Sequence, residues 1–135
     1  MSNPTLPPPA RPAVQGRLEA LLGHLDTRHL AGQRIFVTGG TGFFGYWLLS
    51  LFDLICRQGL DLKVCVLSRQ PASFLARAPF FASAPWLEWQ QGDIKDFGAI
   101  PASDLLIHAA TDTDAAAHRH PLEIMDDILL GTRHT

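Results

Sequence analysis

The sequence predicts an α/β fold, a Rossmann-type doubly wound parallel sheet truncated after about four strands, with an extra N-terminal helix. The first observation behind this prediction is an apolar run at residues 35–37, typical of a strand buried on both faces. The second is that glycines follow this run at Gly39, Gly42 and Gly45, and then a segment of helical periodicity begins. The third is that further strand-like runs occur at residues 62–67 and 86–91, and at 104–111, which includes the exit of the fourth strand.

Length, composition and charge are those of one compact globular domain. At 135 residues the chain is long enough for a single core and too short for two. The net charge of −2 comes without a basic stripe, which argues against a nucleic-acid partner. The sequence has neither an apolar run of membrane-spanning length nor a signal peptide, so we expect a cytoplasmic protein with no membrane partner.

The N-terminal part is predicted to comprise a leader and a helix. Residues 1–13 form a flexible leader in this prediction, because five of the ten prolines lie there without periodic apolar residues. The dinucleotide-binding domain is predicted over residues 14–135. Over residues 14–30, leucines recur at roughly helical spacing and predict an amphipathic helix that covers one end or face of the sheet. A helix that binds a partner protein is the alternative interpretation.

The glycine-rich turn after the first strand carries the functional prediction. A tight turn, a close approach of backbone to ligand and a close contact between helix and strand can each be met by one of Gly39, Gly42 and Gly45. The helix that follows, over residues 44–57, would aim its unpaired N–H groups and positive dipole end at a pyrophosphate. The pattern therefore indicates a dinucleotide site, with a glycine-rich turn that binds nothing as the alternative.

The segment Thr38-Gly39-Gly40-Thr41-Gly42-Phe43-Phe44-Gly45 resembles the cofactor loop of the extended short-chain dehydrogenases/reductases, the NAD-dependent epimerase/dehydratase family. The resemblance covers residues 34–135. It implies that the chain binds NAD or NADP and belongs to an enzyme whose substrate is a nucleotide sugar. The loop residues that it assigns to the cofactor are Gly39, Thr41, Gly42, Phe43, Phe44 and Gly45.

The end of the second strand bears on the choice between the two cofactors. In dinucleotide folds an acidic residue near this point hydrogen-bonds the adenosine ribose, whereas an arginine can meet the 2′-phosphate of NADP. Ser68 and Arg69 stand here, and no acidic residue occurs between Lys63 and Glu88. We therefore expect NADP in preference to NAD, with Arg69 as a solvated loop charge as the alternative.

A segment after the third strand is similar to the family's adenine-binding motif. In that motif, Asp93 and Ile94 would contact the adenine amino group and ring nitrogen through a carboxylate and a backbone N–H. An aspartate that only forms a turn is the alternative.

A segment at the end of the fourth strand matches another motif of the family. There, Ala109 and Ala110, followed by Thr111, let the ribose and phosphates lie over the strand end. The resemblance gives His108 a structural place and not the role of a general base.

No catalytic residue is predicted in this chain. Hydride transfer in the family requires a Tyr-x-x-x-Lys pair, whose tyrosine exchanges the substrate proton. The sole tyrosine, Tyr46, has Ser50 at the fourth following position. We therefore expect the NAD(P)-binding portion of a nucleotide-sugar epimerase, dehydratase or reductase. The alternatives are a regulatory module that binds the dinucleotide without chemistry and a structural domain with an empty loop.

Neither a metal nor a disulfide is predicted. Cys56 and Cys65 lack metal-ligand spacing and are expected to be small buried hydrophobic residues. A second group also lacks the spacing of a metal site, and its members are Asp112, Asp114, His118 and His120.

The C-terminal residues 121–135 are predicted to form a helix. Gly131-Thr132 resembles the family's Asn-x-x-Gly-Thr segment, with Ile128 at the position of the asparagine. In the predicted strand order 3-2-1-4, the fourth strand has one neighbour only and leaves an unprotected edge. We therefore expect a homodimer through this edge, or aggregation of the chain.

Overall fold

The computed structural model describes residues 12–109, which form a four-stranded sheet with helices packed on it. Along the chain the strands are β1 (Gln33–Thr38), β2 (Leu62–Ser68), β3 (Leu87–Gln91) and β4 (Leu105–His108). Neighbouring strands are parallel, and their order across the sheet is β3-β2-β1-β4. The predicted α/β fold of Rossmann type is therefore confirmed, with a strand at each of the four predicted runs.

Three α-helices belong to this part of the chain, namely α1 (Pro12–Leu22), α2 (Phe43–Arg57) and α3 (Pro71–Arg77). As predicted, α2 begins directly after the glycine-rich turn. The helical stretch after β2 breaks at Pro79, where a separate 3-10 turn begins, because proline removes a backbone donor and crowds the preceding turn of an α-helix. No helix within residues 12–109 is both long and apolar enough to cross a membrane.

The prediction of one helix over residues 14–30 is wrong at both ends. The helix α1 begins earlier, at Pro12, where the missing N–H of proline is no loss in a first helical turn. It ends at Leu22, because Gly23 is a poor helix former and Asp26 then accepts hydrogen bonds from the backbone and guanidinium of Arg28. A 3-10 turn that starts at Arg28 replaces the last predicted helical turns.

The two faces of the sheet have cores of different size. The larger core joins one face to side chains of α2 and α3, with the ring of Phe74 fully enclosed. The strand residues buried in it include Ile35, Val37, Val64 and Val66. The opposite face holds a smaller cluster, in which Phe36 and Leu67 pack with Phe97. The alternation of Ile35, Phe36 and Val37 between these cores confirms a strand buried on both faces.

The chain changes direction across the sheet at β1. It leads from β1 to β2 and β3 on one side, and β4 then pairs with the other side of β1. In open α/β sheets, ligands bind beyond the carboxyl ends of the strands at such a switch point. The register places Thr38 opposite His108 there, immediately before the glycine-rich turn.

The strand β4 forms one edge of the described sheet. Its start is fixed to β1 by two bonds, since the N–H of Arg34 donates to the Asp104 carboxylate and the N–H of Asp104 donates to the carbonyl of Arg34, each across 2.8 Å. Leu105 and Leu106 are 41% and 45% exposed on opposite faces of the strand. The edge predicted from the strand order is thus present in residues 12–109.

Candidate functional site

The predicted cofactor residues that the structure describes all lie at the carboxyl edge of the sheet. Residues 39–45 follow β1, Ser68 and Arg69 end β2, and Asp93 and Ile94 follow β3. Ala109 follows β4, whereas Ala110 and Thr111 lie outside the described residues. Because neighbouring strands are about 4.8 Å apart, the end of β3 lies roughly 10 Å from the turn after β1. The edge is therefore a row of four strand ends wide enough for an extended ligand.

Gly39 makes the tight turn that ends β1. Its φ of 75° lies in the left-handed region, which glycine adopts without the steric penalty of a Cβ. The N–H of Gly42 donates to the carbonyl of Gly39 across 3.3 Å, with Thr41 half-buried between them. Gly39 therefore makes the tight turn that the glycine spacing predicts.

Gly45 and Gly40 allow α2 to pack directly on the loop. A Cβ built on Gly45 would overlap the backbone of Gly40. A Cβ on Gly40 would lie 2.7 Å from Cγ1 of Val66 in β2, closer than real Cβ atoms come to other atoms. The close helix contact expected from the sequence is therefore met by Gly45, against the loop. No role is predictable for Gly40 from the sequence, because its neighbour Val66 is distant in the chain.

Gly42 differs from these glycines because its surroundings in the described structure do not require glycine. Its φ of −82° is open to other residues. The nearest atom to a Cβ built there is the carbonyl oxygen of Gly39 at 3.6 Å, an ordinary contact. The absence of a side chain therefore leaves the backbone of an exposed position open to a ligand.

The first turn of α2 presents backbone N–H groups beside Gly42. The first N–H groups of an α-helix have no partner within the helix, and no side chain caps them here. The first turn also contains no acidic residue, and the helix dipole adds positive potential at this end. The turn and the exposed Gly42 together can bind an anion through the backbone alone.

Both phenylalanines at the start of α2 are exposed, Phe43 by 84% and Phe44 by 61%. Phe44 does not belong to the buried face of the helix. The buried face instead includes Gly45, Leu49 and Phe52, and Phe44 lies about 100° around the helix from Gly45. At this edge Phe43 and Phe44 offer backbone amides and exposed rings, not core packing.

Ser68 and Arg69 take different parts at the end of β2. Ser68 is buried, and its hydroxyl accepts a hydrogen bond from the N–H of Gln70 across 3.2 Å. Its carbonyl accepts from the N–H of Gly92 across 3.0 Å, which joins this turn to the end of β3. Arg69 is exposed, and its carbonyl accepts from the side chain of Gln91. Ser68 therefore shapes the turn, and Arg69 carries a cation at its surface.

Asp93 forms a turn after β3. One carboxylate oxygen accepts from the N–H of Lys95 across 2.9 Å, and the carbonyl accepts from the N–H of Asp96 across 3.0 Å. Asp93 therefore forms a turn, which uses one oxygen of its carboxylate for the N–H of Lys95. Ile94 is half-buried against the smaller core, which fixes its backbone at the sheet edge.

The ends of β1 and β4 are joined by a backbone and a side-chain hydrogen bond. The N–H of Ala109 donates to the carbonyl of Thr38 across 3.0 Å. The Thr38 hydroxyl and Nδ1 of His108 share a hydrogen bond 2.7 Å long. Thr38 is fully buried and His108 half-buried. His108 therefore stands in a structural position, as the sequence analysis expected.

The two cysteines are free, half-buried thiols. Burial raises the pKa of Cys56 to about 11, and the negative charges of Asp53 and Asp61 act in the same direction. Burial also raises the pKa of Cys65, and Glu88 adds to that shift. Both thiols are therefore protonated at neutral pH, when thiolate is the reactive form.

Within residues 12–109, no three His, Cys, Asp or Glu side chains are grouped to hold a metal ion. The group judged in the sequence analysis, from Asp112 to His120, lies outside the described residues. The predicted helix at 121–135, with Ile128 in place of asparagine, lies outside them too.

Comparison with known proteins supports the fold alone. No protein-family model and no curated protein matches the sequence. The X-ray structure of Pen from Bacillus thuringiensis is similar in fold, with a TM-score of 0.62 and 23% sequence identity. The match covers 78% of this chain and 33% of that chain, so it spans about a third of the length of Pen.

Proposed function

We propose that this chain is the NAD(P)-binding portion of an extended short-chain dehydrogenase/reductase that acts on a nucleotide sugar as epimerase, dehydratase or reductase. The observation that carries the proposal is Gly42. A Cβ there would make only an ordinary contact, yet the residue is a glycine beside the first turn of α2, which no side chain caps. A ligand that passes close to the backbone accounts for this choice.

In this proposal, different residues of the carboxyl edge contact different parts of the dinucleotide. The pyrophosphate lies on Gly42 and the first amides of α2, where backbone donors and the helix dipole favour an anion. The adenine lies over the end of β3, where the Asp93 carboxylate and the N–H of Ile94 are its partners. Arg69 meets the 2′-phosphate, so NADP is preferred to NAD. Ala109 leaves space for the ribose beside the switch point.

The contribution of these residues is binding and orientation. A nicotinamide cofactor, when bound, supplies a C4 position that accepts or donates a hydride. Arg69 and the amides of α2 fix the adenosine end, which sets the direction in which the rest of the dinucleotide extends from the sheet. The sequence holds no Tyr-x-x-x-Lys pair, so we assign no residue of this chain to substrate proton transfer.

A regulatory module that binds the dinucleotide without chemistry is the second candidate. Such a module needs no Tyr-x-x-x-Lys pair, and these 135 residues hold none. A redox sensor must distinguish oxidised from reduced nicotinamide, whereas a cofactor-binding portion holds both forms through the adenosine and pyrophosphate. Equal affinity for NADP⁺ and NADPH supports the first candidate, and a difference above tenfold supports the second.

We also propose that two copies of the chain associate through β4, with Leu105 and Leu106 in the contact. An exposed strand edge with apolar side chains on both faces is a ready partner for another edge. Leu105→Lys should then shift the molecular mass in light scattering from dimer to monomer. A wild-type chain that is still monomeric at 100 times the protein concentration of the light-scattering experiment would contradict this proposal.

A cytoplasmic location is part of the same proposal. Cys56 and Cys65, the two cysteines of the sequence, are both free. Free thiols fit a reducing compartment, where disulfides are rare.

The test is thermal unfolding of the chain with NADPH, NADH or no nucleotide. A ligand at 100 times its Kd stabilises a protein by about 2.7 kcal/mol, which is a readily measured rise in Tm. We expect the largest rise with NADPH. No rise with either nucleotide at millimolar concentration would contradict the proposed function.

A further inference from the structure

The bond between Thr38 and His108 joins the end of β4 to the residue directly before the glycine-rich turn. Thr38 is the last residue of β1, and Gly39 begins the turn with a φ of 75°. The Thr38 hydroxyl is fully buried, and Nδ1 of His108 lies 2.7 Å from its oxygen. The two residues are also partners in the strand register. A rotation of Thr38 would therefore move the first residue of the turn and break this bond.

The turn is held on its other sides by contacts that leave it little freedom. Gly40 fits closely against Val66 of β2, and Gly45 of α2 fits against Gly40. From the β4 side, Thr38 is held by its side-chain bond to His108 and by the bond from the N–H of Ala109 to its carbonyl. Backbone groups that must meet a ligand at hydrogen-bond distance bind best when they are already in place.

We propose that His108 is a positioning residue, which acts through Thr38 to hold the glycine-rich turn in the conformation that binds the dinucleotide. The proposal rests on the proposed function and extends it to a residue that touches no phosphate itself. It also assigns different roles to the two ends of β4. Asp104 anchors the start of the strand to β1 and His108 anchors its end, but only the end adjoins the turn.

The test compares His108→Ala with Asp104→Ala, which is matched because each removes one side chain that fastens β4 to β1. The dissociation constant for NADPH is measured by calorimetry, and stability is measured by urea unfolding. We expect both variants to lose stability. Only His108→Ala should weaken NADPH, by about tenfold, the effect of one lost buried hydrogen bond expressed in affinity.

Two further variants distinguish the bond from the bulk of the side chain. His108→Asn can place a polar atom near the position of Nδ1 and should recover most of the affinity. Thr38→Val keeps the shape of threonine without the hydroxyl and should weaken NADPH as much as His108→Ala. The double variant should be no weaker than either single one, since both remove the same bond.

A measurement without nucleotide tests the positioning role of His108 independently of the proposed function. Hydrogen exchange of the amides at residues 40–42 should accelerate about tenfold in His108→Ala and stay unchanged in Asp104→Ala. Equal exchange in the two variants, or an unchanged affinity in His108→Ala, would overturn the positioning role. Failure of the wild-type chain to bind NADPH would overturn the proposed function and leave the exchange result to decide on His108.

Discussion

The first and second strand-to-helix units of this chain solve the same local problem in opposite ways. Each must turn the backbone from a parallel strand into a helix at the carboxyl edge of the sheet. In the second unit, Ser68 accepts the N–H of Gln70, and Pro71 starts α3 without an N–H to satisfy. In the first unit, Gly42 precedes α2, and Phe43 and Phe44 in its first turn are exposed. Neither helix has a side-chain cap, but proline and the bond from the N–H of Ser73 to the carbonyl of Gln70 leave fewer free donors at the start of α3.

This difference separates two reasons for a glycine. Gly45 and Gly40 are required by packing, because a Cβ at either position meets the protein itself. A Cβ at Gly42 makes only an ordinary contact, so packing within the protein does not explain the glycine and a ligand outside it does. A glycine-rich turn is therefore informative about ligand binding only at positions where the protein would accept a larger residue.

The largest effect is expected from Gly45→Ala. In an exposed helix this change stabilises by up to about 1 kcal/mol. Here the new Cβ overlaps the backbone of Gly40, and we expect a loss of about 3 kcal/mol in the free energy of unfolding, measured in urea. Gly16→Ala is the matched control, since nothing lies within 4 Å of a Cβ there. If both variants were equally stable, the close packing of α2 on the loop would be wrong.

Gly42→Val should have the reverse profile, with little loss of stability and loss of nucleotide binding. A Cβ at this position makes only an ordinary contact, so we expect a cost of about 1 kcal/mol or less. A branched side chain at this position blocks the approach of a pyrophosphate to the backbone. Titration with NADPH should therefore give no saturation, whereas Gly98→Val, another open position, should bind like the wild-type chain. Retained affinity in Gly42→Val would refute the assigned position of the pyrophosphate.

Arg69→Ala tests the second unit, where a side chain and not the backbone is expected to meet the ligand. We expect NADPH to weaken about tenfold and NADH to change less than twofold, because only NADPH carries the 2′-phosphate. Fluorescence titration with both nucleotides provides the comparison. Equal losses for the two would remove Arg69 from the choice of cofactor.

The smallest effect is expected at the two thiols, Cys56 in the first unit and Cys65 in the second. Burial raises the pKa of Cys56 from 9.0 to about 11, so its thiolate fraction near pH 8 should be roughly 100-fold lower than in an unfolded chain. Alkylation by iodoacetamide should be correspondingly slow in the native state. Because the unfolded thiol ionises first, stability should fall as pH rises from 9 towards 11. Rapid alkylation at pH 8 would contradict the burial of this side chain.

The sequence predicts most of the fold because its signals are local. The strand at the apolar run 35–37 and the helix after the glycine-rich turn follow from neighbouring residues. The prediction of α1 is wrong because the leucine spacing continues past Leu22, while Gly23 and the bonds of Asp26 end the helix. Such local hydrogen bonds end the helix without changing the spacing of the leucines, so the spacing alone does not reveal where the helix ends.

The site was less accessible to sequence reasoning because its decisive contacts join distant residues. Gly40 needs Val66 as a neighbour, and the Thr38–His108 bond joins residues 70 positions apart. The strand order was predicted from the sequence, but the register that brings these residues together was not. In contrast, Gly39 and Gly45 follow from the spacing alone, since the turn and the helix contact lie within one segment.

The central claim is that the backbone of the first unit, and not that of the second, holds the pyrophosphate. The most direct measurement is a nuclear magnetic resonance titration of the ¹⁵N-labelled chain with NADPH, followed at the backbone amides. We expect the largest shifts at residues 41–45, with those of Ala72 to Phe74 at the start of α3 small. Shifts of equal size at the two helix starts, or none at residues 41–45, would contradict the account.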